Sequence, residues 1–232
     1  MDVRSSRAVT VYLKAIYSLA EESVGSATGK RGMDQRVTTT AIAKRLNVSP
    51  PSATNMLKRL AARELVTYEP YRGASLNPKG RDLALELVRH HRLLETYLVE
   101  ALGVPWHEAH TEAEALEGAL SEALEERISA ALGHPRFDPH GHPIPTRNGA
   151  MPKRSRRSLW EVGDGEAGLI EQVPDSHPEA LRYLADVGVL PGVKVTVVGR
   201  GPIGGPLFVN VKDDEAAPLA LSKEVAEAIW VQ

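Results

Sequence analysis

The chain has 232 residues, 42% hydrophobic and 25% charged, with a formal net charge of −2 and no cysteine. That length allows more than one domain with a buried core. The lack of cysteine excludes a disulfide framework, a thiolate nucleophile and a thiolate metal site, so any metal must be held by nitrogen and oxygen. No apolar run approaches the ~18 to 20 residues that cross a bilayer, and the N-terminus carries no signal-peptide core, which reads as a cytoplasmic protein without membrane contact.

Charge is unevenly spread. Residues 1–81 carry 14 basic and 6 acidic groups, residues 82–150 carry 5 and 12, and residues 151–232 carry 9 and 12. A basic end followed by an acidic helical middle suggests a nucleic-acid-facing end and a middle that is cation-facing or merely solvated. Residues 5–22 place Val9, Tyr12, Leu13, Ile16, Tyr17 and Ala20 at helical spacing, and the Gly/Ser-rich stretch after them reads as a loop. The segment from Val37 to Val66 then holds two short helical patterns separated by Asn47–Ser49. The second starts with Ser49 as N-cap and prolines in its first turn, where a missing N–H costs nothing. Its inner face is Ala53, Met56, Leu57 and Leu60, which leaves Ser52, Thr54, Asn55, Lys58 and Arg59 for a partner. This is the outline of a helix-turn-helix. Residues 65–80 add two short strands around a Pro-Tyr-Arg-Gly turn, a wing with Arg72 at its tip.

Residues 77–103 read as a helix with an apolar stripe of Leu83, Leu87, Leu94 and Leu98, at whose edge lie His91 and Glu95. Residues 104–133 read as one following helix with the stripe Ala109, Ala113, Leu116, Leu120 and Leu124. At about 100° per residue, His110, Glu114 and Glu117 fall within a ~60° arc beside that stripe. Two antiparallel helices would bring both sets together. Isolated buried charge is costly, so such a cluster either pairs with cations, Arg89 and Arg92 being near in sequence, or holds a metal. With imidazole and carboxylate donors the site suits Mn²⁺ or Fe²⁺, while Zn²⁺, Co²⁺, Ni²⁺ and Cd²⁺ are expected to bind in vitro. "FDPHGHPIPTRNGAMPKRSRRS" follows as a Pro/Gly/basic linker marking a boundary, its histidines assigned to structure and its basic run to solvent. The single histidines at 107, 134 and 177 read as surface residues. From residue 159 the pattern is β-rich, with "HPEALRYLADVGVLPG" as a short helix and turn, and closes as a small barrel.

The order of these parts resembles the diphtheria toxin repressor family, which includes iron- and manganese-dependent regulators. The resemblance is carried by "VYLKAIYSL", "IAKRLNVSPPSATNMLKRL", "HRLLE" at 91–95, "HTEAEALE" at 110–117, "DPHGHPIP" at 138–145 and the tail from Leu169 to Val198. It implies a mainly α fold with three domains. These are a winged helix-turn-helix DNA-binding domain (1–81), a helical dimerisation and metal-binding domain with linker (82–150) and an SH3-like, FeoA-like barrel (151–232). It also implies a metal-dependent repressor of metal-homeostasis genes, not an enzyme, that acts as a homodimer through helices around residues 93–132 on a palindromic operator. Successive major grooves would be engaged about 34 Å apart. By the same resemblance an ancillary metal site falls on His91, Glu95 and His110 with Gln172 and Asp175, or Glu171 if the register slips, and an activating site on Glu114 and Glu117. The glutamate at 114 is of the manganese type. The family's further ligands at this second site fall here on Val11 and Gly118, neither of which can ligate. Base contacts are expected from Ser49, Pro50, Pro51, Ser52 and Asn55, and phosphate contacts from Thr39, Thr40, Thr54, Arg59 and Arg72.

The sequence bears on two other functions. A carboxylate-bridged di-metal enzyme needs Glu-x-x-His pairs on two of four bundled helices, which the sequence does not offer. A winged-helix regulator of an organic ligand, its His/Glu cluster merely structural, predicts DNA binding indifferent to EDTA.

Overall fold

The computed structural model describes residues 7–25, 36–152, 157–175, 178–212 and 218–232. The loop reading of residues 26–35, most of the basic run at 153–157, and His177 lie outside them. The chain divides into two compact units. One comprises Met1–His90 with Glu117–Leu120 and Pro145–Ala150; the other comprises His91–Leu116, Ser121–Ile144 and Met151–Gln232.

The first unit begins with α1 (Arg7–Gly25), whose Val9, Leu13, Ile16 and Tyr17 are buried, as their spacing requires. The helix-turn-helix is α2 (Thr39–Arg45) and α3 (Pro50–Ala62). Thr38 caps α2 by accepting from the Ala41 amide, and Ser49 caps α3 by accepting from the Ser52 amide, with prolines at the first positions. Each cap satisfies an amide that the helix cannot, a contribution of about 1 kcal/mol. Asn47 makes the turn in the left-handed region (φ 50°). Ala53, Met56, Leu57 and Leu60 form the buried face of α3. The wing is β1 (Val66–Glu69) antiparallel to β2 (Gly73–Leu76), with Val37 joined to Ala74 by an isolated antiparallel bridge. Gly73 is required there: its φ is +91° and a Cβ would stand 2.1 Å from the Val37 carbonyl oxygen. The first part of α4 (Pro78–Glu100) completes the unit.

In the second unit α4 continues from His91, followed by α5 (Ala109–Leu116) and α6 (Glu122–Ala131). The single helix expected over 104–133 is therefore two, separated by a 3-10 turn at Glu117–Ala119. The cause is local: Gly118 weakens the helix, and Ser121 starts a new one by accepting from the Leu124 amide. Ala109 and Ala113 are buried, but Leu116 and Leu124 of the expected stripe are exposed.

The C-terminal part is a six-stranded antiparallel sheet of order β3-β8-β4-β5-β6-β7. Its strands are β3 (Arg157–Ser158), β4 (Ala167–Gln172), β5 (Lys194–Arg200), β6 (Leu207–Val211), β7 (Leu219–Leu221) and β8 (Trp230–Val231). The helices α7 (Pro178–Asp186) and α8 (Lys223–Ala228) close it over a core that includes Leu159, Ile170, Leu181, Leu184, Val197, Leu207 and Ile229. Trp106, from the α4–α5 connection, packs against this core. No helix among the described residues is long and apolar enough to cross a membrane.

Candidate metal centre and nucleic-acid interface

The outer face of α3 exposes Pro50, Pro51, Ser52, Asn55, Lys58 and Arg59, with Thr54 half-buried. Ser49 and Thr40 are exposed beside it, and Thr39 is half-buried at the start of α2. A capped helix that presents small polar side chains and cations matches what a major groove offers: base-edge donors and acceptors flanked by phosphates. In the wing, Tyr71 is fully exposed with φ 66°, and Arg72 pairs with Glu69 at 3.2 Å. Hydrogen bonds from Arg36 above all, and then Arg72, hold the Glu69 carboxyl below the usual carboxylate range. Arg72 is three-quarters exposed, and an exposed ion pair of this kind is weak enough for a phosphate to replace it.

The second cluster lies on α4 and α5. His91 and Glu95 are one turn apart on α4, and Glu95 is fully buried. His91 Nε2 stands 3.0 Å from Glu95 Oε1, His110 Nδ1 stands 2.9 Å from the same oxygen, and the two ring nitrogens are 3.0 Å apart. Cis ligands about 2.1 Å from a common ion are themselves about 3 Å apart. Burial pushes the Glu95 carboxyl up, but the charge of His91, hydrogen bonds from His110 and His91, and the charge of His140 bring it well below the usual carboxylate range. Its second oxygen, Oε2, is buried without a hydrogen-bond partner.

On the other side of Glu95 are residues from the loop 138–142 and from the end of β4. Glu95, His140 and Asp175 each offer a ligand atom, all within 4.8 Å of one another, and so do Asp138, His140 and His142. Asp138 Oδ2, His140 Nδ1, His142 Nδ1 and Gln172 Oε1 are buried without hydrogen-bond partners. Asp138 Oδ2 lies 3.4 Å from His142 and 3.7 Å from Arg92. Burial lowers the tendency of His142 to hold a proton, but the negative charges of Asp175 and Asp138 outweigh this and raise its pKa. Asp175 is pushed up by burial and then brought below its ordinary value, chiefly by His142. The loop reaches this position because of Gly141. Its φ is +87°, and a Cβ would stand 1.9 Å from the Glu171 carbonyl oxygen. The Val173 amide also donates to the His140 carbonyl at 3.0 Å, and Trp106 Nε1 to that of Pro139 at 3.0 Å. Unpartnered buried oxygens and ring nitrogens converging on one spot are costly unless a cation satisfies them, so the residues present fit a divalent metal.

The N-terminal DNA binding domain of iron dependent repressors matches residues 6–74, their metal binding and dimerisation domain matches 77–146, and a FeoA domain matches 157–232. The iron-dependent repressor IdeR of Mycobacterium leprae is 32% identical over 96% of this chain and 95% of its own length. The chain belongs to the diphtheria toxin repressor family. As a member it is a metal-dependent, DNA-binding transcriptional repressor with a dimerisation domain, in a family of regulators rather than enzymes. The diphtheria toxin repressor of Corynebacterium jeikeium is 33% identical over 76% of this chain and 61% of its own. Among solved structures, a manganese-dependent transcriptional repressor in complex with manganese has a TM-score of 0.83 at 37% identity, covering 96% of this chain and 98% of that one. ScaR with bound Zn²⁺ has a TM-score of 0.79 at 29% identity, covering 97% and 98%.

Of the seven ligand positions expected in this repressor, the structure brings His91, Glu95, His110 and Asp175 around one carboxylate, with Gln172 buried at the end of β4. Glu114 is half-exposed, its Oε1 3.9 Å from His110 Nε2. Glu117 is not with them: its carboxylate is buried against Lys14 of α1. Among the described residues, no set of three clustered histidine, aspartate or glutamate ligands includes Glu114 or Glu117. Asp138 and His140 are the residues that sequence reasoning missed. The signal available was the pairing of acid and imidazole inside "DPHGH", read as linker chemistry because proline and glycine surround it.

Proposed function

We propose that this repressor responds to Mn²⁺, with Fe²⁺ as the alternative, and represses metal-homeostasis genes such as those for metal uptake, acting in the cytoplasm. The observation that carries the reading is the triangle of Glu95 Oε1, His91 Nε2 and His110 Nδ1, each atom about 3 Å from the other two. His91, Glu95 and His110 would hold the ion, with His140 and Asp175, which cluster with Glu95, as further donors, and Asp138 and the buried Gln172 as outer candidates. An ion held there supplies positive charge to the buried Glu95 carboxylate and its neighbour Asp175. An all-nitrogen and oxygen donor set without thiolate suits Mn²⁺ and Fe²⁺. The similar structure carrying manganese supports the first, and the relatives named iron-dependent support the second.

Ser49, Pro50, Pro51, Ser52 and Asn55 would read bases, and Thr39, Thr40, Thr54, Arg59 and Arg72 would position on phosphates. The assembly proposed is a homodimer on a palindromic operator, with domains at 1–81, 82–150 and 151–232. Leu102, Leu116 and Leu124 are exposed on the helical region and supply an apolar surface for that contact. Metal would favour the DNA-competent state, and by reciprocity DNA would tighten metal.

The test is selection from a random duplex pool by metal-stripped protein, with Mn²⁺ or with EDTA. A palindromic motif enriched only with Mn²⁺ is expected. The same motif in both conditions would overturn the metal-responsive reading.

A further inference from the structure

Glu117 presents a buried carboxylate with a different partner from Glu95. Lys14 Nζ stands 2.7 Å from both of its oxygens, and the two side chains are 15% and 5% exposed. Lys14 lies on α1 of the DNA-binding unit, next to the fully buried Leu13. Glu117 opens the 3-10 turn after α5 and belongs to that same unit. Among the described residues no set of three clustered ligands includes Glu117, and Gly118 and Val11 have no donor side chain.

We propose that the Lys14 ammonium is the built-in cation of Glu117, tying α1 to the 3-10 turn without metal, and that the metal response of this chain runs through the Glu95 cluster alone. A lysine ammonium has three donors and no lone pair to offer, so it satisfies a carboxylate but cannot act as a ligand beside it. A dication on the same carboxylate would meet it at a few ångströms, where like charges repel strongly in a buried setting. Imidazoles differ in being able to give up a proton and bind instead. The tie is then permanent, and Lys14 is a positioning residue for the DNA-binding unit. The inference rests on the metal-dependent reading only for its DNA measurement.

The full-length, metal-stripped protein is titrated with Mn²⁺ and bound ion counted by equilibrium dialysis, for the native chain and Glu117→Gln. Equal numbers of ions per chain are expected, and loss of one in Glu117→Gln would overturn the proposal. Amide hydrogen exchange across α1 is then followed with Mn²⁺ and with EDTA. Equal protection in both is expected of the native chain, whereas protection that appears only with Mn²⁺ would overturn it. Lys14→Met should exchange faster in α1 under both conditions and bind the selected duplex about tenfold more weakly at saturating Mn²⁺, because a buried ion pair is broken from one side. Lys14→Arg, which keeps the charge, should fold and stay within about threefold of the native affinity. Unchanged affinity in Lys14→Met, or as large a loss in Lys14→Arg, would also sink the proposal. A native chain whose DNA binding ignores Mn²⁺ would instead refute the metal-dependent function and leave the ion count and exchange measurements standing.

Discussion

Glu95 and Glu117 are both buried glutamates of the acidic helical region, yet their surroundings differ in kind. Glu95 sits among His91, His110 and His140, with Asp175 near; Glu117 is ion-paired with Lys14. A carboxylate among imidazoles has neighbours whose protons can be exchanged for a metal, so its environment is adjustable near neutral pH. A carboxylate against an ammonium has a partner whose charge is fixed. The comparison teaches that burial of an acid does not by itself mark a metal site; the protonation chemistry of what faces it does.

The largest effect that would break this contrast comes from the Glu95 side. Glu95→Gln should reduce Mn²⁺ affinity by at least about 100-fold and abolish metal-stimulated DNA binding; equilibrium dialysis with a duplex-binding assay checks both. His140→Ala should weaken Mn²⁺ by about 10- to 100-fold. Unchanged affinity would confine the centre to His91, Glu95 and His110.

Proton competition sharpens the contrast further. Glu95 and Asp175 have folded pKa values below their ordinary ones, so the stability they contribute is present above the usual carboxylate range and lost as pH falls through the lowered values. His142 has a raised folded pKa, so its contribution is fully present below its ordinary value and lost as pH rises through the raised one. Metal-free protein should therefore melt highest in a mildly acidic window, about pH 5 to 6.5. Mn²⁺ should move that optimum upward, because it needs the imidazoles unprotonated. Melting curves across pH, with EDTA and with Mn²⁺, test this; an optimum that Mn²⁺ leaves in place would contradict it.

The smallest effect is a control at an exposed carboxylate that belongs to neither cluster. Glu166, exposed and hydrogen-bonded by Arg157 and the Gly163 amide, is lowered to about 2. An NMR titration of its carboxylate should show this, and Arg157→Gln should return it toward its ordinary value. What it adds to stability is present above that ordinary value and lost as pH falls through about 2.

Local chemistry made the helix-turn-helix legible from sequence. A cap, two prolines and an apolar spacing at Ser49–Leu60 act within a few residues, and the structure places each as expected. The pair His91 and Glu95 was legible for the same reason, being one helical turn apart. Asp138 and His140 were not, because their burial depends on a loop meeting the end of β4 some thirty residues later in the chain. The Lys14–Glu117 pair lies 103 positions apart and no periodicity announces it. The break between α5 and α6 was signalled by Gly118 and Ser121 but hidden by a leucine pattern that continues through it.

Gly141 sets a limit of another sort. With a Cβ excluded by the Glu171 carbonyl, the separation between the loop and the strand end is fixed by main chain rather than by side-chain rotamers. The cage around Glu95 is therefore built to a gauge. Ions that differ by a few tenths of an ångström in radius would be sorted by how well they fit that frame, and an alanine at this one position, pressed against the Glu171 carbonyl and the Gln172 Cα, would recalibrate it without replacing a ligand side chain.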